Sequence, residues 1–140
     1  MSWAVLDTGL FIAASRRDRD AVAIMALAVD EGAQLLVPAV VLTEATRGDF
    51  QRDAAINRLF DKWKPTIVPI DEDIARYAAT LLGRVKADVK EGREWLVDAL
   101  VVAVAAAYPG SHLVTTDIAD IRRFVDADPS QKIKVVPVHP

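Results

Sequence analysis

Five short runs rich in apolar residues, separated from one another by stretches of helical periodicity, constrain this chain more than any other feature. The runs are Trp3–Leu6, 34–37, 66–69, His112–Thr115 and 133–136. A short apolar run bounded by turn residues reads as a strand buried on both faces. Between the runs, helices are expected over 10–14, over 21–31 closed by Gly32, and over 39–47 after a helix-opening Pro38 and before Gly48. Further helices are expected over 50–62, from the acidic start Asp71-Glu72-Asp73 to 87, over 95–108 before Pro109-Gly110, and over 117–125. Residues 88–94 are polar and charged and read as a loop. Alternating strands and helices predict a three-layer α/β/α sandwich around a five-stranded parallel sheet, in a single domain spanning 1–140.

Composition narrows the chemistry. The 140-residue chain has no cysteine and only two histidines, His112 and His139. Thiolate metal sites, a Cys nucleophile and a His-rich metal site are therefore excluded, and a catalytic site must draw on carboxylates and hydroxyls. The net charge of −3 excludes a polybasic nucleic-acid binder, so a nucleic-acid partner requires a local basic rim. The amino terminus lacks a positive segment before its apolar run, and the apolar stretch around 96–108 is interrupted by Asp98. No secretory signal or membrane span is expected, and the chain reads as a cytoplasmic protein.

Parallel sheets bind ligands beyond the carboxyl ends of their strands. Asp7 and Asp117 directly follow predicted strands, while Glu44 and Asp98 sit on predicted helices. Asp7 and Asp117 each have a plain alternative role as a turn former or helix cap. Glu44 shares a helix side with Val40 and Val41. Asp98 lies in Trp95-Leu96-Val97-Asp98-Ala99-Leu100-Val101-Val102, where nearly every face is apolar. A first-turn dipole explains an acid there, but not why it should sit in so apolar a setting. Asp120, one turn past Asp117, either joins this group or is solvated; the sequence favours solvation slightly. In a parallel sheet all four acids meet at one edge. Two charges 4 Å apart repel by about 4 kcal/mol at an effective dielectric of 20, so such a cluster requires bound protons or a counter-ion. All-oxygen ligands suit Mg²⁺ or Mn²⁺.

Val5-Leu6-Asp7-Thr8, Leu42-Thr43-Glu44, Asp98-Ala99-Leu100-Val101 and Thr115-Thr116-Asp117 resemble the four signature segments of the PIN domain, in order and over essentially the whole chain. At this length the chain is most similar to the VapC-type toxins of toxin–antitoxin pairs. The resemblance implies a Mg²⁺-dependent endoribonuclease, with Mn²⁺ able to substitute. It makes Asp7 and Asp98 primary metal ligands. Glu44 then holds the metal or positions water, and Asp117 binds metal directly or through water. It also assigns Thr8 and Thr115 supporting hydrogen bonds around the acids, and adds a cognate antitoxin and a homodimer as partners. Gly9 departs from the family, which commonly has Ser or Ala there.

Cations must flank such a pocket for RNA to approach. The candidates are Arg16, Arg17, Arg47 and Arg93, with Arg84, Lys86 and Lys90 nearby; ordinary solvation is the competing account of each. Trp95 is either a base-stacking surface or a core anchor. Two alternatives remain at this point: a housekeeping PIN nuclease of RNA processing, and a phosphoacceptor receiver-like signalling domain. The second needs adjacent acids after its first strand, whereas here Asp7 is followed by Thr8-Gly9.

Overall fold

The computed structural model describes residues 2–46 and 48–139. Its strands are β1 (Trp3–Leu6), β2 (Gln34–Pro38), β3 (Thr66–Val68), β4 (His112–Thr115) and β5 (Lys134–Pro137). All pair in parallel, in the order β3-β2-β1-β4-β5. Val5 is central, opposite Leu36 on one side and Leu113 on the other. Ala4, Val5, Leu36 and Leu113 are almost fully buried, as expected of strands covered on both faces.

The connections fix which helices cover which face. From β1 the chain steps outward to β2 and β3 through α1 (Thr8–Ser15), α2 (Arg19–Asp30), α3 (Ala39–Ala45) and α4 (Phe50–Trp63). It then returns to the other side of β1 through α5 (Glu72–Arg84), α6 (Val89–Glu94) and α7 (Leu96–Ala106), and reaches β5 through α8 (Ile118–Val125). Right-handed crossovers in opposite directions place the two helix sets on opposite faces, giving three layers. Contacts agree: α1 packs on α2 and α4, with Phe11 edge-on to Phe60, while α7 packs between α5 and α8. The α7 face presents Ala99, Val101, Val102, Ala103 and Ala105, all buried. Small and β-branched side chains let this helix lie close over β1, β2 and β4.

The reversal of direction makes the β1–β4 boundary the topological switch point, where open α/β sheets form their ligand crevice.

The sequence reading fails in one element. Residues 88–94, expected to be a loop, contain the helix α6. A capping box forms it: the Asp88 carboxylate accepts from the Glu91 amide at 2.8 Å, and the Glu91 carboxylate accepts from the Asp88 amide at 3.3 Å. None of its residues is buried, so polarity concealed a helix that reciprocal caps specify. Pro38 both ends β2 and stands at the N-cap of α3, where a helix-opening proline was expected, while α3 stops at Ala45 instead of reaching 47.

Candidate active site

Asp7 closes β1 and opens α1. Its amide continues the sheet ladder to the Val114 carbonyl at 3.2 Å. Its carboxylate caps α1 through the Leu10 amide at 2.8 Å, and its second oxygen accepts the Thr115 hydroxyl proton from the neighbouring strand. The side chain is only 4% exposed. Burial pushes its pKa up, against the lowering effect of Thr115 and Leu10, and the charge of Asp117 adds to the rise.

Asp117 faces Asp7 across the switch point. It caps α8 through the Asp120 amide, and its own amide donates to the Thr115 hydroxyl oxygen at 2.9 Å. Thr115 therefore touches both sides of the crevice. A hydrogen bond with the Asp120 side chain, followed by burial, raises the Asp117 pKa.

Glu44 is half-buried in the last turn of α3, where the helix dipole does not help an anion. The Thr8 hydroxyl compensates, donating to Glu44 Oε1 at 2.7 Å. This contact also ties α1 to α3 above the sheet.

Asp98 occupies the first turn of α7, which has no side-chain cap. Its pKa is pushed up to about 7, first by burial and then by the charges of Asp120, Asp117, Asp7 and Glu44. One carboxyl group thus feels every acid singled out from the sequence, and Asp120 most strongly among them. Among the described residues, no three acids already close around a single point as a ligand shell. They are neighbours through their field, at an edge built only of carboxylate and hydroxyl oxygens. That donor set fits a hard divalent cation, and Arg123, paired with Asp120, offsets only part of the acids' charge.

Asp120, for which the sequence slightly favoured solvation, joins this group, and Arg123 is what the sequence reading missed here. Arg123 pairs with Asp120 at 3.2 Å, and its guanidinium lies 3.9 Å from the centre of the Trp95 ring. Phe124 meets the same ring edge-on. Trp95 is therefore engaged as an anchor between α7 and α8. The available signal was the i, i+3 spacing of Asp117, Asp120 and Arg123 on one helix.

The flanking cations divide. Arg16 and Arg17 are exposed at the end of α1, and Arg93 is exposed on α6. Arg84 is paired with Asp128 at 3.3 Å, and Lys90 with Glu94 at 3.8 Å. Lys86 is exposed in a left-handed turn. Arg47 lies outside the described residues. His112 sits at the opposite, amino end of β4. Among the described residues no helix is long and apolar enough to cross a membrane.

Comparison with known proteins adds the following. The family model for the PIN domain matches residues 4–126. The fold is similar to VapBC2 from Rickettsia felis bound to a promoter DNA fragment, with a TM-score of 0.67, 15% identity and coverage of 95% of this chain and 98% of that chain. DNA-bound VapBC from Salmonella typhimurium has a TM-score of 0.67 and 15% identity, covering 96% of this chain and 98% of that one. VapBC-5 from Mycobacterium tuberculosis, of the VapBC family of toxin–antitoxin systems, has a TM-score of 0.59 and 23% identity, covering 99% of this chain and 100% of that one. No curated protein matches by sequence.

Proposed function

The chain belongs to the PIN domain family, and from that premise we propose that it is a metal-dependent endoribonuclease acting as the toxin of a toxin–antitoxin pair. The carrying observation is Asp98, lifted to about 7 first by burial and then by the charges of four other acids at the switch point. Such a group is stabilised by a proton or by a cation, and the oxygen donors suit Mg²⁺, with Mn²⁺ as a substitute. In this reading Asp7 and Asp98 hold the cation, and Glu44 and Asp117 complete the charge around it. When bound, the ion supplies Lewis-acid polarisation of phosphate and water oxygens.

The remaining work falls to the chain itself. The Leu10 amide and the Thr115 hydroxyl fix Asp7 in one orientation. Thr8 aims Glu44, which we assign to orient the attacking water. The burial that raises Asp7 and Asp98 also limits competing water at the site. The similar VapBC structures support an antitoxin as a partner, and a second copy of the chain belongs to the same proposal.

The test is cleavage of labelled single-stranded RNA by purified protein, with Mg²⁺, with Mn²⁺ and with chelator. Asp7→Asn and Asp98→Asn are preferred to alanine because Asn keeps the cap that Asp7 provides. Each is expected to lose roughly 10³-fold in rate, about 4 kcal/mol of transition-state stabilisation. Cleavage at the parent rate in either variant, or in chelator, overturns the assignment.

A further inference from the structure

The acids at the switch point differ in what holds them. Asp7 and Asp117 follow neighbouring strands, and the Thr115 hydroxyl joins them. Glu44 is tied to α1 through Thr8. Asp98 is carried by a helix rather than by a strand end, and that helix begins without a side-chain cap. The start of α7 must therefore be located by packing against its neighbours.

Trp95 is that start. Its amide closes α6 on the Glu91 carbonyl at 2.8 Å, and its carbonyl opens α7 by accepting the Ala99 amide at 3.0 Å. Its ring meets Phe124 of α8 edge-on, and the Arg123 guanidinium lies 3.9 Å from its centre. The same guanidinium donates to Asp120 Oδ1 at 3.2 Å, and the Asp120 amide in turn faces Asp117 Oδ1 at 3.4 Å. A chain of contacts thus runs from the first turn of α7 to the first turn of α8. Asp98 stands one turn beyond Trp95, on the same side of the helix. The Arg123 side chain is 30% exposed, and its buried Nη1 finds no acceptor among the described residues, so the ring and Asp120 carry its placement. Arg122, beside it, shows the ordinary surface use of the residue type: it is 49% exposed and pairs with Asp126 at 3.8 Å.

We infer that Arg123 is a positioning residue for the acidic edge: clamped between the Trp95 ring and the Asp120 carboxylate, it sets the spacing of Asp98 on α7 from Asp117 and Asp120 on α8. This rests on the metal-dependent reading above and deepens it, because the spacing of these carboxylates decides how well they hold a cation. A planar guanidinium serves both contacts at once, stacking with its face and donating from its edge. A lysine keeps the charge but neither the plane nor the fork. A role as counter-charge alone makes the opposite prediction for metal. A cation beside the acids repels an incoming cation, so its removal would tighten binding. Direct contact with RNA phosphate would instead raise KM.

The experiment measures Mn²⁺ binding to RNA-free protein by calorimetry, for the parent, Arg123→Lys, Arg123→Gln and Trp95→Leu, with thermal melts to verify each fold. Both Arg123 variants are expected to bind Mn²⁺ roughly tenfold more weakly, the loss typical when a group that orients a ligand carboxylate is removed. Adding Arg123→Lys to Trp95→Leu should cost no more than about a further twofold, because the two residues act as one clamp. Parent affinity in Arg123→Lys, or tighter binding by Arg123→Gln, overturns the inference and leaves Arg123 a counter-charge. Additive losses in the double variant overturn it too. Arg123 is partly exposed, so Arg123→Lys keeps its fold and decides alone if Trp95→Leu does not. In cleavage of labelled single-stranded RNA, Arg123→Lys should keep KM within about twofold of the parent; a raised KM with unchanged kcat and Mn²⁺ affinity assigns Arg123 to the RNA and overturns the clamp. Hydrogen exchange without metal separates this inference from the reading it rests on. The Ala99 amide, bonded to the Trp95 carbonyl, should exchange at least about tenfold faster in Arg123→Lys, while the amides of 102–105 stay protected. A parent that takes up no Mn²⁺ sinks the metal-dependent reading, and unchanged Ala99 exchange sinks the clamp.

Discussion

Two aspartates withdrawn from water meet opposite fates in this fold. Asp128, between α8 and β5, is 8% exposed and surrounded by donors. The Ser130 hydroxyl reaches it at 2.6 Å, the Tyr77 hydroxyl at 2.6 Å, and Arg84 at 3.3 Å. Its pKa falls well below the usual carboxylate range, chiefly through Ser130 and Tyr77. Asp98 has no comparable escort. Burial and four acids push it up to about 7. The chain can neutralise a shielded carboxylate with its own donors and does so at Asp128, which ties α5 to the segment after α8. At the switch point Arg123 meets Asp120, but no such set of donors gathers on Asp98. That contrast separates a structural acid from one arranged for something that arrives from outside.

The widest break in the comparison is expected at Asp98. The folded, metal-free protein keeps a proton there up to about pH 7, whereas the unfolded chain releases it near 3.8. Stability from this group is therefore full below about pH 4 and declines as pH rises toward 7. Asp98→Asn should raise metal-free stability at pH 8 by about 1–2 kcal/mol, less than the full shift implies because the group is still partly in contact with water. Thermal melts across pH, with and without Mg²⁺, check this. A variant no more stable than its parent at pH 8 would show that the acids do not strain one another.

Asp128→Asn should act in the reverse sense and more weakly. Its folded pKa is depressed, so its contribution is present above about pH 4 and lost as pH falls below it. The variant is expected to lower the neutral-pH melting temperature by a few degrees, to lose the acid-side decline, and to cleave RNA like the parent per folded molecule. Reduced cleavage at unchanged stability would merge the two regions into one.

The smallest effect concerns Gly9. A Cβ there would stand 2.1 Å from the Thr116 hydroxyl oxygen, a side-chain atom able to rotate away. Gly9→Ala alone should change stability by less than about 0.5 kcal/mol, because the helix-propensity gain is offset by that displacement. In a Thr116→Ala background the same change should stabilise by about 0.5–1 kcal/mol. Equal melts in both backgrounds would show that Gly9 makes no room for Thr116.

The sheet and the four leading acids were legible because their signals are local. An apolar run ending in Asp7, an acid among the valines around Glu44, and Asp98 in an otherwise apolar helix can each be read from a few neighbours. The capping roles of Asp7 and Asp117 were legible as alternatives, and the structure gives both residues that role at the acidic edge. What escaped depends on distant partners. Thr8 was expected to support the acids, but that its partner is Glu44, 36 residues away, was not readable, nor was the Tyr77 bond to Asp128 across 51. The field of Asp120 on Asp98 exists only once α8 lies beside α7. The α6 helix was missed for a different reason. It buries no residue, so its only sequence signal is the Asp88–Glu91 spacing, which carries the capping information.

Thr115 has a mechanical consequence. Its hydroxyl oxygen receives the Asp117 amide while its proton is given to Asp7, so one side chain rivets the two lips of the crevice together. Prising β1 from β4 would break a buried bond to a carboxylate that has few other partners. The separation of Asp7 from Asp117 is therefore set by this hydroxyl as well as by the β1–β4 pairing, and removing it would loosen both acids at once.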